Sequence, residues 1–289
     1  MTDSRVTMSP VRIALLAGAA LVAFAANSVL ARLALRGGAI DATSYTSIRL
    51  VSGAVVLSLL VWRRGPATFR VAGSWAGAAL LFLYAAPFSF AYLSLSTGTG
   101  ALILFAAVQA TMILAGLAGG ERPGPREWVG LLVALGGLVW LVLPGIDAPP
   151  LLGAGLMAVA GVSWGFYSLR GRRSGAALAD TMGNFVRAAP LALALSAATL
   201  ATAAVAPAGV LYAVLSGAIA SGVGYAIWYT ALPGLPATRA ATIQLAVPAL
   251  AALGGVALLG EPLSFRLVGA AAAILGGVGL AVSARARRA

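Results

Sequence analysis

Gly120-Glu121, followed by Arg126, Val129-Gly130 and Gly136-Gly137, returns later in the chain as Gly260-Glu261, followed by Arg266, Val268-Gly269 and Gly276-Gly277. The Gly-Glu, Arg and Gly-Gly elements recur at an offset of 140 residues, and Val-Gly recurs at 139. Ile48-Arg49 matches Val186-Arg187 at 138, and Ala91-Tyr92 loosely matches Trp228-Tyr229 at 137. Single dipeptides recur by chance in a chain this rich in Ala, Gly and Leu. An ordered series at a near-constant offset instead marks an internal duplication.

The duplicated unit is a membrane module. Of the 289 residues, 61% are hydrophobic and 9% are charged, against about 25% charged in a soluble domain. A span needs about 20 apolar residues. Ten spans take up most of the chain and leave short loops, with no room for a soluble domain. The charges and the Gly/Pro-rich breaks set the boundaries. The first repeat is 1–147, with spans at about 13–35, 44–62, 72–96, 99–118 and 127–143. The second is 148–289, with spans at about 151–169, 181–203, 209–232, 239–259 and 266–284. Five is odd, so the second copy enters the bilayer upside down. The expected fold is therefore an all-α integral membrane protein of ten transmembrane helices, built as two inverted five-helix repeats. Glu121 and Glu261 then face opposite sides, and inverted repeats accompany alternating access around a midplane site.

All 19 cationic residues are arginine. Fourteen fall on one side: Arg5, Arg12, Arg63, Arg64, Arg70, Arg122, Arg126, Arg170, Arg172, Arg173, Arg239, Arg285, Arg287 and Arg288. Arg36 and Arg266 fall on the other, and Arg32, Arg49 and Arg187 lie at or inside span ends. Positive residues stay cytoplasmic, so both termini are expected in the cytoplasm of a bacterial inner membrane. The net charge of +12 reflects this loop bias rather than a nucleic-acid partner. Ala23-Phe24-Ala25 has the look of a signal-peptide cleavage site. The length of that apolar stretch and the repeat both argue that the helix is retained.

Cysteine and histidine are absent. That removes disulfides, thiolate and imidazole metal sites, and Cys- or His-based catalysis. No cofactor and no metal are expected, and no catalytic constellation is present, so the chain is not read as an enzyme. All seven acids (Asp3, Asp41, Glu121, Glu127, Asp147, Asp180 and Glu261) lie in tails, loops or helix ends. Proton-coupled carriers commonly use a buried carboxylate or histidine, so no tight coupling through a buried acid is expected.

The pattern resembles the drug/metabolite transporter superfamily, in particular its ten-helix EamA-type exporters. The resemblance rests on Gly120-Glu121 with Gly130, Gly136 and Gly137, and on Gly260-Glu261-Pro262 with Gly269, Gly276 and Gly277. The family's proline in the fourth helix of a repeat is matched by Pro248, whereas the first repeat reads Val108-Gln109-Ala110 there and departs from the pattern. Asn27 and the aromatic third, sixth and eighth spans make the aromatic amino-acid exporter branch the most similar. The resemblance implies a cavity lined by helices one, three, four, six, eight and nine, and a small-molecule substrate. A monomer or weak oligomer in the bilayer is expected.

Candidate substrate-binding residues follow on those helices. Tyr84, Phe88 and Tyr92 recur every fourth residue and share a helix face. Trp164 and Tyr167 do the same in the sixth span, and Tyr225 and Trp228 mark the eighth. Tyr92 and Tyr229, near span ends, read equally as interfacial belt residues. Asn27, Gln109 and Gln244 are amides that must face protein or a wet cavity, because an unpartnered amide in lipid is costly. Their alternative role is helix–helix hydrogen bonding. Pro87, Gly222 and Gly224 are hinge or gate candidates, with Pro87 expected to kink its helix. Arg49 and Arg187 read as helix C-terminus partners or snorkelling residues. Glu121 and Glu261 read as charges on the start of the following helix. The function expected is export of small neutral metabolites, aromatic or other hydrophobic amino acids first among them. Proton-coupled export of drug-like compounds and a non-transporting structural or sensory subunit are the alternatives.

Overall fold

The computed structural model describes residues 8–63, 72–120, 124–145, 148–171, 174–235, 240 and 243–286. Among them are ten helices. The first half contains α1 (Pro10–Arg36), α2 (Ala42–Trp62), α3 (Trp75–Ala91), α4 (Thr97–Ala118) and α5 (Pro125–Val142). The second contains α6 (Leu151–Gly171), α7 (Ala177–Ala198), α8, α9 (Ala246–Leu259) and α10 (Phe265–Ala286). α8 is one continuous rod made of Pro207–Val214, a π-helical stretch Leu215–Val223, and Gly224–Ala231. Six of these helices (α1, α2, α4, α5, α6 and α8) are long and apolar enough to cross a membrane, and α3, α9 and α10 are shorter apolar helices. The protein is a multi-pass membrane protein.

Equivalent helices of the two halves pack against each other and run antiparallel. On α2 and α7, Thr43 Oγ1 lies 2.8 Å from Thr199 Oγ1, Ser47 Oγ lies 2.7 Å from Ser196 Oγ, and Gly53 abuts Phe185. Rising numbers on one helix meet falling numbers on the other. On α5 and α10, Gly130 faces Gly277 and Ala281, and Gly137 faces Ala273. The Trp140 and Phe265 rings are 6.2 Å apart, and Arg266 donates to the Leu143 carbonyl. A duplicated module whose matching helices meet head to tail is an inverted repeat. The repeated Gly-Glu turns have a backbone cause, since Gly120 (φ +87°) and Gly260 (φ +65°) are both left-handed. That conformation just past a helix end favours glycine. Glu121, Arg122, Asp147, Arg172, Arg173 and Arg239 lie outside the described residues.

Several boundaries differ from the sequence expectation. The third span was expected to reach residue 96, but α3 stops at Ala91 and α4 starts at Thr97. Ser96 is the N-cap whose hydroxyl accepts from the Thr99 amide, so Thr97 to Gly100 form a first helical turn. The seventh span was expected to reach 203, yet α7 ends at Ala198. The chain leaves the helix to pair with the α1–α2 connection: Asp41 N donates to Ala204 O at 2.8 Å and Ala206 N to Ala39 O at 2.7 Å. The ninth span was expected from 239; α9 begins at Ala246, preceded by helical residues 243 and 244.

Asp41 ties this corner together. Its Oδ1 accepts from the Thr43 and Ser44 amides at 3.0 and 2.9 Å, and its Oδ2 from the Ala204 amide at 3.1 Å. Burial alone would raise this carboxyl, but these hydrogen bonds outweigh it and hold it down to about 2. Replacing Asp41 by Ala is expected to cost about 1 kcal/mol of stability, read from thermal unfolding. The folded carboxyl is more acidic than an unfolded one, so its contribution is complete above the ordinary carboxylate range. It is lost only as pH falls from about 4 towards 2; between pH 5 and 8 the difference between wild type and Asp41→Ala stays constant.

Candidate functional site

A cavity of about 380 Å³ lies between the two halves. The first half contributes Asn27 from α1, Tyr84 and Phe88 from α3, and Gln109 from α4. The second contributes Trp164 and Tyr167 from α6, Tyr225 and Trp228 from α8, and Gln244 just ahead of α9. All nine candidate binding residues therefore line one space. Pro87, Gly222 and Gly224 do not line it. α3 is continuous through Pro87, Gly222 sits in the π-helical stretch, and Gly224 packs on Ala23.

Aromatic rings form a chain across the boundary between halves. Trp164 is the hub: its ring centroid is 4.9 Å from Tyr84, 5.2 Å from Tyr167 and 5.5 Å from Tyr225, the last two stacked near 20°. Helical spacing explains the set, because Trp164 and Tyr167 are three apart and Tyr225 and Trp228 are three apart on one face. Phe24, Phe105 and Met112 also line the cavity without having been singled out in the sequence, as does Tyr229, which the sequence left open between cavity and belt. Their spacing held the cue: Phe24 is three before Asn27, Phe105 four before Gln109, and Tyr229 four after Tyr225.

The amides differ in their engagement. Asn27 Oδ1 accepts from the Ser216 and Ser221 hydroxyls at 2.8 and 3.3 Å, so it joins α1 to the π stretch of α8 as well as lining the cavity. Gln109 and Gln244 make no hydrogen bond to other described residues and are free to meet a solute. Among the described residues, no acid and no base lines the cavity.

The cavity extends to one end of the bundle, where Ser174, Ala177 and Leu235 line it beside the ends of α6, α7 and α8. Towards the opposite end it stops at Phe88 and Asn27. Beyond them, Arg32 Nε pairs with Glu261 Oε1 at 3.2 Å, and Arg32 Nη1 donates to the Tyr92 and Leu93 carbonyls at 2.9 and 3.2 Å. Glu261 Oε2 accepts the Thr97 amide at 2.8 Å, and Arg36 Nη1 reaches the Leu259 carbonyl at 2.9 Å. The Arg32–Glu261, Glu261–Thr97 and Arg36–Leu259 contacts join the first repeat to the second at that end.

Two sequence expectations, for Glu261 and Arg49, are corrected here, and one left open is resolved. Glu261 does not serve the helix that follows it; its carboxylate caps the first turn of α4 and binds Arg32, while Ser264 receives the Leu267 amide of α10. Of the two roles left open for Tyr92 and Tyr229, Tyr92 takes neither, being fully buried with its hydroxyl donating to the Thr97 carbonyl, while Tyr229 lines the cavity. Arg49 does not snorkel. It is 1% exposed, its Nη2 donates to Tyr84 Oη at 2.7 Å, and its guanidinium lies 4.7 Å from the Phe88 ring centroid. Its repeat counterpart Arg187 does meet backbone carbonyls, those of Ala72 and Gly183 at 2.6 and 3.0 Å.

Comparison with known proteins assigns both halves to one family. Residues 11–143 and again 151–283 match the EamA-like transporter family. An uncharacterised protein of Pseudomonas aeruginosa is 54% identical over 279 residues, spanning 96% of this chain and 97% of that protein. The threonine/homoserine exporter RhtA of Escherichia coli is 31% identical over 175 residues, or 57% of each chain. A solved crystal structure at 22% identity superposes with a TM-score of 0.65 over 93% of this chain and 99% of its own, which concerns the fold alone.

Proposed function

The chain belongs to the EamA-like transporter family, and on that premise we propose that it exports small neutral amino acids or closely related metabolites by alternating access. The observation that carries the reading is the aromatic-walled cavity between the repeats, lined by three amides and, among the described residues, by no charged side chain. Its 380 Å³ falls within the range of small-molecule sites, about 300–1,000 Å³. Trp164, Tyr84 and Tyr225 grip the apolar part of the solute. Asn27, Gln109 and Gln244 meet its polar groups. The aromatic walls favour apolar and aromatic side chains, and the partial similarity to a threonine/homoserine exporter favours amino acids generally.

The cavity reaches the arginine-rich end of the bundle, the end that the charge distribution assigns to the cytoplasm. The conformation is then inward-facing, with the Arg32–Glu261 clamp as the closed outer gate. Export proceeds by loading from the cytoplasm, closure of that end and release of the clamp, as a shift between two populated states. Pro87, Gly222 and Gly224 are the hinges, and the π-helical stretch around Gly222 is the place where α8 can change register at least cost. Among the described residues no acid lines the cavity to carry a proton beside the solute, and in this reading solute gradients drive the cycle.

The test is counterflow and efflux from proteoliposomes loaded with threonine, homoserine, phenylalanine or a drug-like amine. Saturable release of one or more amino acids is expected, with no uphill accumulation driven by a pH gradient alone. Trp164→Ala removes the ring that joins the halves and is expected to lower transport by about tenfold or more while the protein remains folded. Unchanged transport by this variant would misplace the site.

A further inference from the structure

We propose that Arg49 and Tyr84 form a carboxylate-recognition point at the closed end of the cavity, so that the solute carried is a monoanionic acid or the carboxylate end of a zwitterion. This rests on the reading of the cavity as the substrate site and names the group it selects.

Arg49 is a buried cation with no anion beside it among the described residues. Arginine keeps its charge under all ordinary conditions, and a buried charge is tolerated only when compensated. Arg49 is 1% exposed, one hydrogen bond ties Nη2 to Tyr84 Oη, and Nη1 has no partner. The faces of Tyr84 and Phe88 lie beside it, with ring centroids 5.1 and 4.7 Å away, and the neutral phenols of Tyr45 and Tyr225 are also near; none of these is an anion. The described acids are engaged elsewhere: Asp41 at the start of α2, Asp180 with Gly73 and Ser174, Glu261 with Arg32 and Thr97, and Glu127 with Gly124. The equivalent arginine of the other repeat, Arg187, is satisfied by two carbonyls. The unmet demand is therefore specific to the position beside the cavity.

Tyr84 transmits that demand. Its oxygen accepts from Arg49, so its own proton is left to be given to something else, and Tyr84 lines the cavity. A phenol whose oxygen is held by a guanidinium is a strengthened donor. Asn27 lies at the same end with its oxygen already taken by two hydroxyls, which leaves its NH₂ as a second donor. Donors and one positive charge therefore converge where, among the described residues, no carboxylate stands. One carboxylate neutralises the single cation and accepts from both donors, whereas a dianion would leave a buried negative charge. Gln109 and Gln244, towards the other end, offer carbonyl oxygens to an ammonium group. The Arg49 guanidinium itself sits behind Tyr84 and Phe88, so the carboxylate meets the Tyr84 hydroxyl first.

The test uses purified full-length protein and reads thermal stabilisation on titration with matched acids and amides: threonine and threoninamide, phenylalanine and phenylalaninamide, benzoate and benzamide. The acids are expected to half-saturate at concentrations about tenfold or more below their amides. Arg49→Gln is expected to bring each pair within about twofold, while Arg49→Lys keeps a clear preference for the acid. Where Arg49→Gln does not yield folded protein, Tyr84→Phe removes only the hydroxyl and is expected to erase most of the preference. Equal stabilisation by acid and amide in the wild type, no stabilisation by any acid, or an undiminished preference in folded Arg49→Gln overturns the proposal. Arg49-dependent binding of benzoate without binding of either amino acid would retain it and sink the amino-acid reading. Saturable amino-acid export with no acid preference would do the reverse.

Discussion

Gly130→Leu or Gly277→Leu is expected to abolish the folded protein, and either residue changed to Ala is expected to cost about 1–3 kcal/mol or more. The cause is backbone contact. A Cβ added to Gly130 collides with the Gly277 carbonyl, and a Cβ on Gly277 collides with the Gly130 carbonyl. Neither neighbour is a side chain that could rotate away, so the helices themselves would have to part. α5 and α10 are equivalent helices of the two repeats, and their crossing holds the halves together; small residues permit such close approach. The matched controls are Gly136→Ala and Gly276→Ala, the members of the pairs Gly136-Gly137 and Gly276-Gly277 that do not face the partner helix. A Cβ at either position meets nothing, and alanine favours helix by about 1 kcal/mol over glycine. These two are expected to be neutral or stabilising. Unfolding of detergent-solubilised protein, followed by tryptophan fluorescence and monodispersity, separates the four variants. Equal behaviour of the two sets would mean that α5 and α10 do not cross at these glycines.

That contrast also marks what was legible in the sequence. The repeated Gly-Gly announced a close helix crossing, but not which glycine of each pair faces the partner, because that depends on the rotation of both helices. The aromatic cavity was legible because Tyr84 with Phe88, Trp164 with Tyr167 and Tyr225 with Trp228 are spaced at three or four residues within single helices. Local periodicity survives folding unchanged. The roles of Arg49 and Glu261 were not legible, because their partners come from elsewhere: Tyr84 is 35 residues from Arg49, and Arg32 is 229 residues from Glu261. The π-helical stretch of α8 was equally hidden. Leu215 to Val223 holds Ser216 and Ser221 where its flanks hold no serine, but serine and glycine do not by themselves specify a π-helix. There Gly217 closes against the Arg49 carbonyl and Ser52 Oγ, while Ser216 and Ser221 reach Asn27. Those are tertiary contacts that no window of one segment displays.

Glu261→Gln is expected to open the sealed end of the bundle, with a Cys placed at Ser28 becoming reactive from the Glu261 side at least about tenfold faster than in the parent. Glu261 holds two elements of the first repeat, Arg32 on α1 and the Thr97 amide at the start of α4, while sitting in the turn between α9 and α10 of the second. Gln can still accept from Thr97, so the substitution removes mainly the charge that faces Arg32. The pair is mostly buried, with 14% and 9% of the two side chains exposed. Breaking such a pair from one side costs about 3–5 kcal/mol, because the other charge is left without compensation. If the clamp exists only in the state seen here, the whole cost falls on that state, and each 1.4 kcal/mol or so shifts the balance about tenfold towards the alternative. Ser28 is the reporter because it lines the cavity, is buried and differs from Cys by one atom. The chain has no cysteine of its own, so a membrane-impermeant thiol reagent reads that position alone. Arg32→Gln is expected to give the same acceleration, and the double variant no more than either single one, since all three break one contact. Unchanged labelling in both single variants would show that the Arg32–Glu261 pair does not hold the gate, and would leave closure of that end to the packing of Tyr92 and Phe88.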